Sequence, residues 1–224
     1  MSLAEEIRRS PAQISSIIDQ TNVDPVSTRE DIRALCEDVR SYTFYSAVVV
    51  PYHVPLASEV LAGEAKVGTV IGFPYGVQST EAKIAEARAV LEDVDEVDMV
   101  MNRTAFRNGD FDLVVDDISR LKDAIGDVVL KCIIESPALT EDEITEAARM
   151  VERAGADFVK TAVGYDGPTE VAEIRHIREA VGNDMDIKAS GGVSTFEDAL
   201  AMVEAGATRI GTSSGVEIMQ SIPD

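Results

Sequence analysis

Tryptophan is absent from this sequence of 224 residues, and aromatics make up only 5% of it. A hydrophobic fraction of 45% with so few rings leaves the core to small aliphatic side chains, and the length suits one sizeable core. Lysine is scarce: Lys66, Lys83, Lys122, Lys131, Lys160 and Lys188 are the full set. With 41 Asp and Glu against 20 Lys and Arg, the formal net charge is −21 and the pI near 4.3. A phosphate backbone needs a basic patch, so no nucleic-acid partner is expected. Acidic and lysine-poor composition on an ordinary core suits a halophile's cytoplasmic protein, or simply an acidic soluble one. The two cysteines, Cys36 and Cys132, fall on an expected helix and an expected buried strand, and read as reduced core thiols. No apolar run is long enough for a membrane span, and the first residues are already charged, so neither membrane nor leader is expected. There is no linker-like or low-complexity stretch either, which predicts one domain over 1–224.

What is present is an alternation of short apolar runs and helical patterns. The pattern predicts a short helix over 1–12, a strand from Ile14 to Thr21, and a helix over 29–40 capped by Ser27 or Thr28. Strands follow at 47–50, 66–73, 96–102, 128–135, 157–163, 186–190 and 208–213. Helices over 54–62, 81–92 (capped by Thr80), 110–124, one starting at Thr140 (with Glu143 at capping-box spacing), 168–181 and 195–205 separate them, with room for a short last helix. Eight βα units in so short a chain predict a (β/α)8 TIM barrel with a short N-terminal helix; an open doubly wound sheet is the alternative.

The stretch Asp157 to Gly164 has a lysine, Lys160, in the middle of a strand apolar on both sides. Such a lysine either snorkels toward a carboxylate or is a desolvated amine, and an unprotonated amine attacks carbonyls. Period-two alternation puts Asp98, Lys131, Glu135, Lys160 and Lys188 on inward faces of four neighbouring strands, since the opposite faces are apolar and must meet the helices. Barrel interiors are ordinarily aliphatic, so this is either a structural ion network or a polar reaction site. Lys160 and Lys188 lie one βα unit apart, on adjacent strands, where like charge lowers the pKa of one amine.

Three glycine-rich turns follow the last strands: Gly164-Tyr165, Ser190-Gly191-Gly192-Val193-Ser194 and Gly211-Thr212-Ser213-Ser214-Gly215. Turns of this kind in barrels cradle phosphates, although Gly and Ser also suit ordinary tight turns.

These motifs, with Ile18 to Thr21, Val70 to Pro74, Glu96 to Val100, Lys131 to Glu135 and Arg209 to Gly215, resemble the deoxyribose-phosphate aldolase family over most of the chain. The resemblance implies Lys160 as the Schiff-base lysine, Lys188 as the second lysine and Asp98 as the proton relay. It implies Gly164, Gly191, Gly192, Ser194, Gly211, Ser213 and Ser214 around a phosphate, and Asp19, Thr21, Lys131 and Glu135 as supporting residues. Sugar phosphate and aldehydes are the implied ligands, with no metal and no cofactor, in a homo-oligomer (dimer or tetramer). Another Schiff-base aldolase or transaldolase, and a non-catalytic sugar-phosphate binder, are the alternatives. The chain departs from the family where Ala162 and Val163 replace hydroxyl residues, where Ser194 replaces an arginine, and where Val48 and Val50 replace a cysteine and an asparagine.

Overall fold

The computed structural model describes residues 2–223. Eight parallel strands close in sequence order into one barrel. They are β1 (Ile18–Asn22), β2 (Ser46–Val49), β3 (Lys66–Ile71), β4 (Glu96–Val100), β5 (Val129–Ile133), β6 (Phe158–Lys160), β7 (Asp186–Ser190) and β8 (Arg209–Thr212). The helices are α1 (Leu3–Arg9), α2 (Arg29–Tyr42), α3 (Val54–Leu61), α4 (Thr80–Arg88), α5 (Arg103–Asn108), α6 (Phe111–Ile125), α7 (Glu141–Arg153), α8 (Val171–Val181), α9 (Phe196–Ala205) and α10 (Gly215–Gln220).

The core has two parts because strand side chains alternate. Outward residues such as Ala47, Val49, Val97, Met99, Leu130, Cys132, Val159, Ile187 and Ile210 belong to the apolar layer beneath the helices. Inward residues carry the charges: Asp98 lies opposite Lys131, Lys160 opposite Lys188, and Lys188 opposite Arg209. Both cysteines are buried, unpaired thiols.

Several elements differ from the sequence pattern. Ile14 to Ile17 form a 3-10 turn (Pro11–Ile17), not the start of β1, and α1 stops at Arg9. Pro11 sits at the first position of that turn, and Ile14 and Ile17 are buried at a three-residue spacing that mimics an apolar strand run. Ser79, not Thr80, caps α4; the Thr80 hydroxyl instead donates to Asp117 Oδ1 at 2.8 Å. Strands β3 to β6 end two or three residues early, where the chain turns into the loops that shape the mouth. The short helix α5, capped by Asn102, was not foreseen. Capping boxes hold the starts of α2, α7 and α9 at Thr28, Thr140 and Thr195.

Among the described residues, one further charge pair outside the barrel lumen is wholly buried. Lys83 Nζ on α4 meets Asp117 Oδ2 on α6 at 2.5 Å and donates to the Val100 carbonyl, at the end of β4, at 2.9 Å. Gly72 must lack a side chain beside it: its φ is +63°, and a Cβ there would lie 2.9 Å from Lys83 Cε.

Candidate active site

Seven charged side chains fill the lumen. Asp98 accepts from three ammonium groups at once: Lys131 Nζ at 2.9 Å, and Lys160 Nζ and Lys188 Nζ each at 2.8 Å on the same oxygen, Oδ2. Asp19 accepts from Ser46 and Arg209 through Oδ1 at 2.8 and 2.9 Å. Its Oδ2 lies 2.5 Å from Lys188 Nζ, a close ion contact that is not aligned as a hydrogen bond. Glu96 takes Lys131 at 2.6 Å and Arg209 at 3.1 Å. The Arg209 guanidinium stacks on Tyr45, 3.4 Å from the ring centroid, and reaches the Phe158 ring as well.

Burial and charge set the protonation states. Burial drives the Lys160 ammonium down to about 8; Asp98 opposes this, while Lys188 and Lys131 reinforce it. For Lys131 burial acts in the same direction, but Asp98, Asp19 and Glu96 outweigh it and its pKa rises. Burial would raise both aspartates, yet Lys188, Lys131 and Arg209 bring Asp19 to about 2, and Lys131, Lys160 and Lys188 hold Asp98 well below the carboxylate range. Lys160 therefore loses its proton more readily than a free lysine, beside a carboxylate, Asp98, that is held ionised.

Lys160 is also the only lysine or arginine, among the described residues, on the wall of the cleft at the C-terminal mouth. This cleft, about 1020 Å³, runs over the ends of β1, β6, β7 and β8. Thr21, Gly164, Gly191, Gly192, Ser194, Gly211, Ser213 and Ser214 line it with Lys160, so the sequence-expected phosphate residues do come together. Gly164, Gly191 and Gly192 all have positive φ (+97°, +99° and +79°), which a side chain would strain. Gly211 serves a second purpose: a Cβ there would sit 2.6 Å from Lys188 Cε, so its bareness lets Lys188 reach Asp98. At the start of α10 two amides are already taken, Ser214 by the Thr212 hydroxyl and Gly215 by the Gln20 side-chain Oε1. The wall carries Asp24, Asp31 and Asp38 and no arginine.

Asp98, Lys188, Asp19 and Lys131 lie beneath the cleft, fully buried. Glu135 does not join them. It follows the end of β5 in the left-handed region (φ +57°), which turns its side chain to accept from the Val163 amide at 2.8 Å. Strand parity fails for it because β5 has already ended. Burial raises its pKa, and Oε1 is buried without a partner. Glu96 and Arg209 join the lumen cluster although the sequence pattern does not single them out. The signal was available, since Glu96 shares parity with Asp98 and Arg209 with Gly211.

A closed parallel barrel with a buried, depressed amine at its C-terminal mouth suits carbonyl chemistry through an imine. Comparison with known proteins agrees. The model of the DeoC/LacD family aldolases matches residues 14–221. The deoxyribose-phosphate aldolase of Thermococcus gammatolerans is 47% identical over 214 residues, covering 92% of this chain and 95% of the relative. That of Brevibacillus brevis is 46% identical over 209 residues, covering 92% and 95%. Among solved structures, the aldolase QR15 superposes with a TM-score of 0.89 at 38% identity, covering 92% of this chain and 94% of its own. The tetrameric deoxyribose phosphate aldolase from Aeropyrum pernix gives 0.89 at 32% identity, covering 97% and 94%. This chain belongs to the DeoC/LacD family of aldolases.

Proposed function

We propose that the protein cleaves 2-deoxy-D-ribose 5-phosphate reversibly to D-glyceraldehyde 3-phosphate and acetaldehyde, with Lys160 as the nucleophile. The observation that carries this reading is a depressed amine, Lys160, that opens on the cleft while sharing Asp98 with Lys188. Neutral Lys160 adds to the C1 aldehyde of the open-chain sugar, and loss of water gives an iminium. The iminium withdraws electrons as the C2–C3 bond breaks and the C3 hydroxyl loses its proton. Glyceraldehyde 3-phosphate leaves, the enamine is protonated at C2, and hydrolysis releases acetaldehyde. Both lysines touch the same carboxylate oxygen at 2.8 Å, so Asp98 is a direct route for protons between them. Because Asp98 is held strongly ionised, it passes a proton on rather than storing it. Asp19 and Lys131 hold this trio in place, Thr21 packs at the cleft wall, and Glu135 fixes the chain after β6 through Val163.

The 5-phosphate is assigned to the turns at Gly164, Gly191-Gly192, Ser194, Gly211 and Ser213-Ser214. The test is release of aldehyde from a panel of sugar phosphates. Turnover should be highest with 2-deoxyribose 5-phosphate and absent in Lys160→Leu. A variant that still turns over at more than a small fraction of the parent rate would remove Lys160 from the chemistry.

A homo-oligomer, dimer or tetramer, and a cytoplasmic life in high salt belong to the same proposal. Support for the first is the tetrameric relative and the exposed side chains of Tyr52, Tyr75 and Val77. For the second it is the net charge of −21. Among the described residues no helix is long and apolar enough to cross a membrane.

A further inference from the structure

The lumen holds four cations, Lys131, Lys160, Lys188 and Arg209, against three anions, Asp19, Glu96 and Asp98. The excess of one is unevenly shared. Lys131 touches Glu96 and Asp98, Lys188 touches Asp19 and Asp98, and Arg209 touches Asp19 and Glu96. Lys160 alone has a single carboxylate, Asp98, and must share it with two competitors. The proton that brings the cluster to neutrality therefore comes off Lys160 by geometry.

We propose that Glu96 and Arg209, neither of which reaches the cleft, decide how much of Asp98 is left to Lys160 and so set the pH at which Lys160 becomes nucleophilic. This rests on Lys160 being the imine-forming residue. If Glu96 loses its charge, Lys131 keeps only Asp98 at 2.9 Å and the more distant Asp19 at 4.0 Å, so it leans harder on Asp98 and Lys160 gives up its proton more readily. If Arg209 loses its charge, Asp19 and Glu96 turn fully to Lys188 and Lys131, Asp98 falls to Lys160, and the proton is held harder. The count gives the same signs: four cations to two anions in the first case, three to three in the second. The other titratable groups nearby do not alter this order. Glu135 lies within electrostatic reach of Lys160 from the end of β5, Tyr45 lies under Arg209, and Lys66, near Glu96, is paired with Asp95 outside the lumen. Both are positioning residues, acting through Asp98.

The experiment is the pH dependence of acetaldehyde trapping by cyanoborohydride in the parent, Glu96→Gln, Arg209→Met and the double variant, with the labelled peptide identified each time. Gln keeps the shape of Glu96, and Met keeps the Arg209 stem against Tyr45 and Phe158. Glu96→Gln should move the midpoint down and Arg209→Met up, each by about one pH unit, or about tenfold in trapping rate on the acidic limb. The double variant restores the excess of one cation, so its midpoint should return near the parent's. Damaged packing would instead make the double variant the most impaired, with no opposite shifts. Label on Lys160 with unmoved midpoints overturns this proposal alone; label elsewhere in the parent overturns the assignment of Lys160. Should Arg209→Met fail to fold, Arg209→Lys must keep the parent midpoint and Glu96→Gln must still lower it. Either failing ends the proposal.

Discussion

At the scale of the residue, the chemistry depends on where one proton resides. Lys160 is depressed to about 8 chiefly by burial, with Lys188 contributing like charge across the β6–β7 pair. Removing that charge raises the Lys160 pKa, so in Lys188→Leu the acidic limb of the rate profile should move to higher pH, and a limb that stays put would refute the like-charge argument. The linkage to stability has a definite sign. A lysine whose folded pKa lies below its unfolded value of 10.5 destabilises the fold below about 8, and the penalty fades as pH rises from there toward 10.5. Lys160→Leu should therefore unfold no more easily than the parent at neutral pH, measured by urea titration; a marked loss would mean that Lys160 supports the lumen. At the mouth, Ser194 lines the same cleft as Asp24, Asp31 and Asp38, and no arginine among the described residues shares that wall. An arginine there would add charge-assisted hydrogen bonds, each about 1.5–3 kcal/mol. Ser194→Arg should lower KM for the phosphorylated sugar and leave unphosphorylated deoxyribose nearly unchanged; equal effects would show that Ser194 faces away from the phosphate.

The same residues show how much of the site was legible in the sequence. Asp98, Lys131, Lys160 and Lys188 were placed inward by strand parity, and parity held because each sits within a regular strand. Glu135 escaped because parity has no meaning past the last ladder residue. Glu96 and Arg209 were passed over because they begin their strands, where a charged residue usually faces solvent; here each is buried against an opposite charge.

At the scale of the element, helices and strands were readable from period and caps, and irregular segments were not. The 3-10 turn before β1 and the helix α5 have compositions that also fit a strand and a loop. The Lys83–Asp117 pair was invisible, since a lysine and an aspartate on separate amphipathic helices ordinarily read as surface charge. It ties α4 and α6 to the end of β4, two residues beyond Asp98. Leaving one member of a buried pair uncompensated costs about 3–5 kcal/mol, whereas replacing both by apolar groups is often near neutral. Lys83→Met should lose stability of that order in urea unfolding, and Lys83→Met with Asp117→Leu should recover much of it. A single variant as stable as the parent would contradict the burial of the pair.

At the scale of the whole molecule, the barrel closure and the charge of −21 act separately. The closed sheet brings charges from six strands into one lumen, whereas the surface charge repels itself. Screening extends over about 10 Å at 0.1 M salt and about 3 Å at 1 M, so the melting temperature should rise from low to molar KCl. A flat or falling curve would leave the acidic composition without a role in salt tolerance. The imine is proposed to form on Lys160, the only lysine or arginine on the cleft wall among the described residues. Borohydride reduction in the presence of acetaldehyde, followed by peptide mapping, tests it most directly. An ethyl adduct is expected on Lys160, absent without acetaldehyde; an adduct on Lys188, or none at all, would contradict Lys160 as the imine-forming residue.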